Sequence, residues 1–308
     1  MKHGIVKEGK GLVVYFKNER VGRAYDQRGA ERIFQKAEGT YVPRRGSKST
    51  QAVAVPVIEK QASRFDINKR FDFLQRTIRM VAPGLQASAV ISGSGGLGKS
   101  YTVRKALVET GLTDLTVINS EVGTRVNRAR SFITVKGFST AKGLYRTLFE
   151  NNDSVIVFDD CDSVLKDPVA VNILKGALDS YDTRVISWNA DMRDEDLPRS
   201  FIFTGRVVFI SNMVEDKIDQ AIRSRSAVID VTMSLDDILL RMKTMLKEET
   251  FLPDFDMNIK QDAMSFIEKF KEKMNEINLR TLITVCKVRA SSEQGNDWEE
   301  HAEYLTCK

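Results

Sequence analysis

A chain of 308 residues, 42% hydrophobic and 29% charged, is long enough for one large domain or two ordinary ones and has ample apolar material for a core. No window stays apolar for the length a bilayer span needs, and residues 1–5 lack a signal-peptide core, so a cytoplasmic protein with no membrane partner is expected. Two histidines, His3 and His301, and three cysteines without paired spacing, Cys161, Cys286 and Cys307, argue against zinc sites, disulfide frameworks and Ser–His or Cys–His nucleophiles; carboxylates, arginines and a bound metal remain for any chemistry.

The net charge of +5 is unevenly placed. Residues 1–60 carry 13 Lys and Arg against 6 Asp and Glu, or +7, so the remainder sums to −2. Within this leading segment residues 11–16 (GLVVYF) predict a strand and 26–37 a helix, while PRRGSKST at 43–50 predicts a flexible joint. Residues 1–60 are therefore expected to be a small basic module with a linker, which either binds nucleic acid electrostatically or presents a solvated surface.

The apolar run at 87–92 predicts a strand, and the residues from Tyr101 to Glu109 a helix. Between them Gly93-Ser94-Gly95-Gly96-Leu97-Gly98-Lys99-Ser100 fits the phosphate-loop pattern G-x-x-x-x-G-K-[ST] at every position. Glycines let consecutive N–H groups turn inward around phosphate oxygens, and the following helix adds its positive end. Lys99 would reach the β- and γ-phosphates of ATP, and Ser100 would offer its hydroxyl to Mg²⁺. The loop residues Gly93 to Ser100, with Tyr101 opening the helix, are the expected nucleotide contacts.

Residues 115–119 (LTVIN) look like a second strand, and Arg125 to Phe138 like a polar, arginine-rich loop. Val155-Ile156-Val157-Phe158 then runs into Asp159-Asp160-Cys161-Asp162, delivering carboxylates to the end of a buried strand, where ligands of parallel sheets sit. Asp159 would complete the Mg²⁺ shell with Ser100, and Asp160 would orient or deprotonate a water. Residues 183–208 predict a strand pair joined by an acidic loop, with Trp188 packed inward. Another apolar strand, 206–211, ends at Asn212. Residues 235–249, 261–274 and 278–288 show helical apolar spacing.

Over residues 64–290 these motifs resemble the AAA+ ATPases. The resemblance implies a three-layer α/β P-loop core with a parallel sheet at 61–232 and a small helical lid at 233–308. Asp159-Asp160-Cys161-Asp162 resembles the family's D-E-x-D box, with aspartate at 160 in place of the usual glutamate. RVVFISN at 206–212 resembles the sensor 1 strand, which makes Asn212 a placer of the lytic water. AIRSRS at 221–226 is similar to the finger segment of clamp loaders, naming Arg225, with Arg223 as runner-up, as an arginine finger acting on a neighbouring subunit's ATP. Asn278-Leu279-Arg280-Thr281-Leu282 looks like the sensor 2 helix, with Arg280 near phosphate. The family further implies a homo-oligomeric ring, a hexamer, whose channel would be lined here by Arg128, Arg130, Lys136 and Phe138. Clustered cations favour DNA as the substrate, in replication, loading or packaging; the Gly137-Phe138 pair points alternatively to a protein-remodelling ATPase. A small-molecule P-loop kinase would leave Arg225, Asn212 and the lid unexplained. Compact size and a short accessory module look like phage-encoded members.

Overall fold

The computed structural model describes residues 4–8, 11–24, 26–39, 63–118, 127–137, 139–189, 197–292 and 297–308. The chain divides into two units, Met1–Ala62 and Ser63–Lys308. In the first, β1 (Gly4–Glu8), β2 (Gly11–Phe16) and β3 (Glu19–Ala24) form an antiparallel meander. Lys17 and Asn18 both take positive φ, 49° and 72°, the geometry of a two-residue hairpin turn. Helix α1 (Gln27–Glu38) is capped by Asp26, whose side chain accepts from Gly29 N, and stops at the left-handed Gly39. Ala30, Ile33 and Phe34 pack on Val14 and Ala24. A Cβ at Gly22 would lie 2.8 Å from Ile33 Cγ2, so the helix rides close on the sheet there. The joint at 43–50 lies outside the described residues.

The second unit opens with α2 (Ile67–Val81), capped by Asp66 and burying Ile67, Phe71, Leu74, Ile78 and Val81 on one stripe. Then follow β4 (Ser88–Ser92), α3 (Lys99–Glu109), β5 (Thr113–Asp114), α4 (Leu115–Ile118), β6 (Ser131–Lys136), α5 (Ala141–Glu150) and β7 (Val155–Asp159). After these come α6 (Asp162–Lys166), α7 (Pro168–Ala177), the hairpin β8 (Val185–Ser187) and β9 (Ser200–Ile202), β10 (Arg206–Ser211), α8 (Gln220–Arg223) and β11 (Ala227–Asp230). Six strands form one parallel sheet in the order β11-β4-β10-β7-β6-β5.

Alternate residues of the central strands feed two cores. Ile156, Phe158, Val207 and Phe209 face α5 and α7, with Phe158 and Phe209 stacked at 5.3 Å, while Val155, Val157, Val208 and Ile210 face α2 and α3. Burial on both faces is why these strands read as unbroken apolar runs. The result is a three-layer α/β core followed by a helical segment, α9 (Leu235–Met245), α10 (Met257–Phe270), α11 (Leu279–Ser291) and α12 (Asp297–Thr306), with its own core around Phe266, Ile267, Leu282 and Val285. Helix α12 was not anticipated from the sequence. The strand pair before β10 is present, and Tyr145 packs on both Trp188 and Phe201. No described helix is long and apolar enough to cross a membrane.

Two expectations need correction. Residues 115–118 form a helical turn, α4, because the Asp114 carboxylate accepts from Thr116 N at 3.0 Å and caps it; the strand there is only Thr113–Asp114, and Asn119 lies outside the described residues. The arginine-rich stretch at 125–138 is not one loop. Its Ser131–Lys136 is β6, with Ser131, Phe132 and Ile133 buried between β5 and β7. Arg128 and Arg130 sit in a short 3₁₀ turn before the strand, whereas Lys136 ends it, a separation of roughly 16–20 Å along the strand. These residues do not share a channel-lining loop, and Phe138 lies outside the described residues.

Phe209, 1% exposed at the centre of β10, is expected to be a main support of the sheet. Phe209→Ala should lower the unfolding free energy of this unit by about 3–5 kcal/mol, read from the denaturant midpoint with tryptophan fluorescence.

Candidate nucleotide site

The turn leaving β4 is built on three glycines with positive φ: Gly93 at 139°, Gly96 at 73° and Gly98 at 88°. At Gly93 a Cβ would also lie 2.9 Å from the Val231 carbonyl carbon, so both backbone shape and space demand glycine. Helix α3 begins directly after Gly98, which provides no side-chain cap. The helix dipole and its first N–H groups therefore point into the loop, a ready receptor for phosphate.

Lys99 is 5% exposed. Its ammonium donates to Gly93 O, to Ser94 O at 2.8 Å and to Asn212 Oδ1 at 2.9 Å, which uses all three of its protons. Burial pulls its pKa down from 10.5 to about 8, against the opposing pull of Asp160, Asp159 and Asp162; Arg280 adds to the lowering. Asn212, directly after β10, spends its other amide end on Asp160: Nδ2 donates to Oδ1 at 2.7 Å. Asp160 itself has φ 57°, a left-handed conformation that aspartate tolerates better than most residues, and its N–H is tied to Ile210 O at 3.1 Å.

Asp159 is 3% exposed at the end of β7. Its Oδ1 accepts from Ser100 Oγ at 2.7 Å, and its Oδ2 pairs with Lys136 Nζ at 3.2 Å. Among the described residues no cluster of three or more His, Cys, Asp or Glu could cage a metal alone. One buried carboxylate beside one hydroxyl, at the mouth of a phosphate loop, is the donor set that fits Mg²⁺, which keeps most of its shell in water and phosphate oxygens. Ser211 Oγ donates to Asp162 Oδ1 at 2.6 Å, so the third carboxylate braces the end of β10 rather than facing the loop. The Cys161 thiol, between them, is pushed up to about 11 by burial and these three carboxylates, which keeps it protonated.

The helical segment closes on the loop through α11. Leu279 N donates to Gly96 O at 2.9 Å, and Asn278, 4% exposed, caps the helix by accepting from Arg280 N and Thr281 N at 2.8 and 3.0 Å. Arg280 on this first turn shares a cavity of about 280 Å³ with Gly95, Lys99, Asp160 and Asn212, floored by Met245 and Phe251. Tyr101 OH meets Thr250 Oγ1 at 2.9 Å and Lys105 pairs with Glu248 at 3.1 Å, a second tie between α3 and the helices.

The structure thus gathers Gly93 to Tyr101, Asp159, Asp160, Asn212 and Arg280 at one end of the sheet. Arg225 is elsewhere. Ser88 opens β4 at the opposite end, and its hydroxyl donates to Arg225 O at 3.1 Å. Five strand residues, roughly 13–16 Å, separate that point from the loop. Arg225 Nη1 donates to Ala221 O at 3.1 Å while its Nε is buried without a partner, and Arg223 pairs with Asp216 at 3.6 Å. Arg128 and Arg130 lie at that same far edge. Sequence reasoning passed over two participants, Asn278 and the contact of Lys136 with Asp159. An asparagine just ahead of a helical run is a cap signal, whereas nothing local announces a cross-strand ion pair.

No family model matches the sequence. A protein of enterobacteria phage T4, described as an uncharacterized 36.7 kDa protein in the nrdC–mobD intergenic region, is 26% identical over 254 residues, 77% of this chain and 73% of that one. Among solved structures, a mutant of Thermotoga maritima RuvB has 13% identity and a TM-score of 0.49, covering 78% of this chain and 71% of its own. A FIGL-1 AAA domain has 11% identity and a TM-score of 0.42, covering 78% and 79%. Similarities this distant transfer no function.

At Gly96 the loop meets α11: besides its positive φ, a Cβ there would lie 2.9 Å from Asn278 Cγ. Gly96→Ala should cost about 1–3 kcal/mol and speed hydrogen exchange at the Leu279 amide, whereas Gly111→Ala, with open space at its Cβ, should leave that amide unchanged.

Proposed function

We propose that this chain, with its three-layer α/β core and C-terminal helical segment, is an AAA+ ATPase that hydrolyses ATP with Mg²⁺ at sites shared between neighbouring copies and uses the energy to move or remodel a macromolecule, with DNA the favoured substrate. The observation that carries it is the split just described: a complete phosphate cradle at one end of the sheet, and Arg225 at the other. Within one copy, Arg225 cannot reach the phosphates its own loop would hold. A second copy placed head to tail brings the two ends together, and a planar, permanently charged guanidinium suits the charge that builds on the γ-phosphoryl group. Repetition of that contact makes a ring, a hexamer in this proposal.

In the proposed reaction Lys99 exchanges its loop carbonyls for β- and γ-phosphate oxygens. Asp160 accepts a proton from the attacking water, and Asn212, already bonded to Asp160, fixes where that water sits. Ser100 and Asp159 would hold Mg²⁺, which when bound would neutralise charge on the terminal phosphates. Arg280 approaches the phosphates from the lid.

Net charge supports a polyanionic substrate: pI near 9.0, +7 in residues 1–60, and exposed Arg128 and Arg130 on the far sheet edge. For the protein-remodelling alternative no described residue adds support, since Phe138 lies outside them.

Arg225→Ala and Lys99→Ala should each lower turnover by at least about 10³-fold while only the first still binds ATP. Mixed, they should recover activity well above either alone, because an intact loop then meets an intact finger. No recovery, or a rate per chain unchanged by dilution, removes the shared site. Turnover indifferent to single- and double-stranded DNA at low salt removes the substrate assignment.

The lowered pKa of Lys99 gives a second measurement. Phosphate favours the charged ammonium and returns its pKa toward 10.5, so binding takes up protons in the window above about pH 8. ADP affinity should fall as pH rises through 8, with proton uptake in calorimetry; Lys99→Arg, which stays charged, should abolish the uptake.

A further inference from the structure

We propose that Lys136 is a positioning residue for the metal carboxylate: by holding the outer oxygen of Asp159, it aims the inner oxygen at Ser100 and so strengthens Mg²⁺ binding. The inference rests on the nucleotide site proposed above, and concerns a residue whose sequence context had pointed to a channel.

Lys136 is the last residue of β6 and is paired in register with Asp159, the last of β7. Its Nζ stands 3.2 Å from Oδ2, while Ser100 Oγ donates to Oδ1 at 2.7 Å, so each oxygen of the one carboxylate has its own partner. The burial is lopsided: the Asp159 side chain is 4% exposed and that of Lys136 71%. Without Lys136, Oδ2 would be a buried anionic oxygen lacking its ion-pair partner, close to the further negative charges of Asp160 and Asp162. The carboxylate would then gain by rotating toward other donors and would lose the orientation that presents Oδ1 beside the serine.

A cation near a metal site also repels the metal, and the two effects have opposite signs. Three observations favour orientation. The ammonium pairs with the oxygen that does not face Ser100; it is largely in water, where its charge is screened; and the ion pair it makes, at 3.2 Å, is to an atom of a buried side chain. Partners that hold a metal-ligating carboxylate in this way typically change metal affinity by roughly 10–100-fold when removed.

The test is Mg²⁺ titration of the full-length protein with a fluorescent ADP analogue, starting from a metal-free baseline in EDTA. Lys136→Met should bind the analogue in EDTA as the wild type does, yet need about tenfold or more Mg²⁺ to reach the metal-dependent increment. Lys136→Arg, which keeps the cation and a donor, should restore the wild-type midpoint. Because Lys136 is exposed, the Met variant should fold, and unchanged binding in EDTA confirms that it has. A Lys136→Met midpoint equal to or below that of the wild type overturns the proposal while leaving the nucleotide site intact. A wild type with no Mg²⁺-dependent increment overturns both.

Discussion

The site depends on one amide. Asn212 places its oxygen on the Lys99 ammonium at 2.9 Å and its nitrogen on the Asp160 carboxylate at 2.7 Å, joining the cation of the loop to the carboxylate of the acidic strand. A carboxamide carries donor and acceptor at fixed separation, so it satisfies a positive and a negative group at once. Aspartate at this position would repel Asp160, and leucine would take from the buried Lys99 ammonium one of its three acceptors and from Asp160 its amide donor. The bridge exists because the sheet order is β4-β10-β7: the loop follows the first of these strands, the aspartates end the third, and Asn212 caps the strand inserted between them. Parallel register brings all three C-terminal ends level.

That insertion explains which parts of the site are legible in sequence. The phosphate loop is contiguous, and its shape follows from the φ angles of its own glycines, so eight letters carry it. Asp159 and Asp160 are legible because an apolar run ending in acid means the same thing wherever the strand lies. Strand order is different: no local pattern says that β10, about 50 residues after β7, returns to lie between β7 and β4. The contact of Asn212 with both charges is therefore a product of topology, and the polar residue ending an apolar strand is its only local trace.

The two misread segments fail for a related reason. Leu115-Thr116-Val117-Ile118 has strand composition, but the Asp114 side chain competes for the backbone N–H of Thr116 and turns the chain into a helix. Within the arginine-rich stretch Arg128 and Arg130 are exposed at the strand's entrance, while Phe132-Ile133-Thr134-Val135 enters the sheet. Charge marks where a segment meets water; it does not mark where a segment ends. Lys136 shows the consequence: it belongs to the same charge cluster by sequence, yet a strand's length takes it to Asp159 and leaves Arg128 and Arg130 at the opposite edge.

The C-terminal helical segment adds a constraint that the loop alone would not have. Leu279 N is bonded to Gly96 O, and the Asn278 side chain lies where a Cβ on Gly96 would be, so the first turn of α11 rests on the loop backbone. Two donors of that turn are already satisfied by Asn278, and a third by Gly96 itself. Three N–H groups of the helix start are thereby satisfied within the protein, and Arg280 lines the shared cavity beside them. The α3 ties through Tyr101 and Lys105 lie further along the same interface. A displacement of the loop backbone at Gly96 must either carry α11 with it or break a buried hydrogen bond, which costs about 1–3 kcal/mol. The first turn of α11, which bears Arg280, is thus tied to the loop backbone at one glycine.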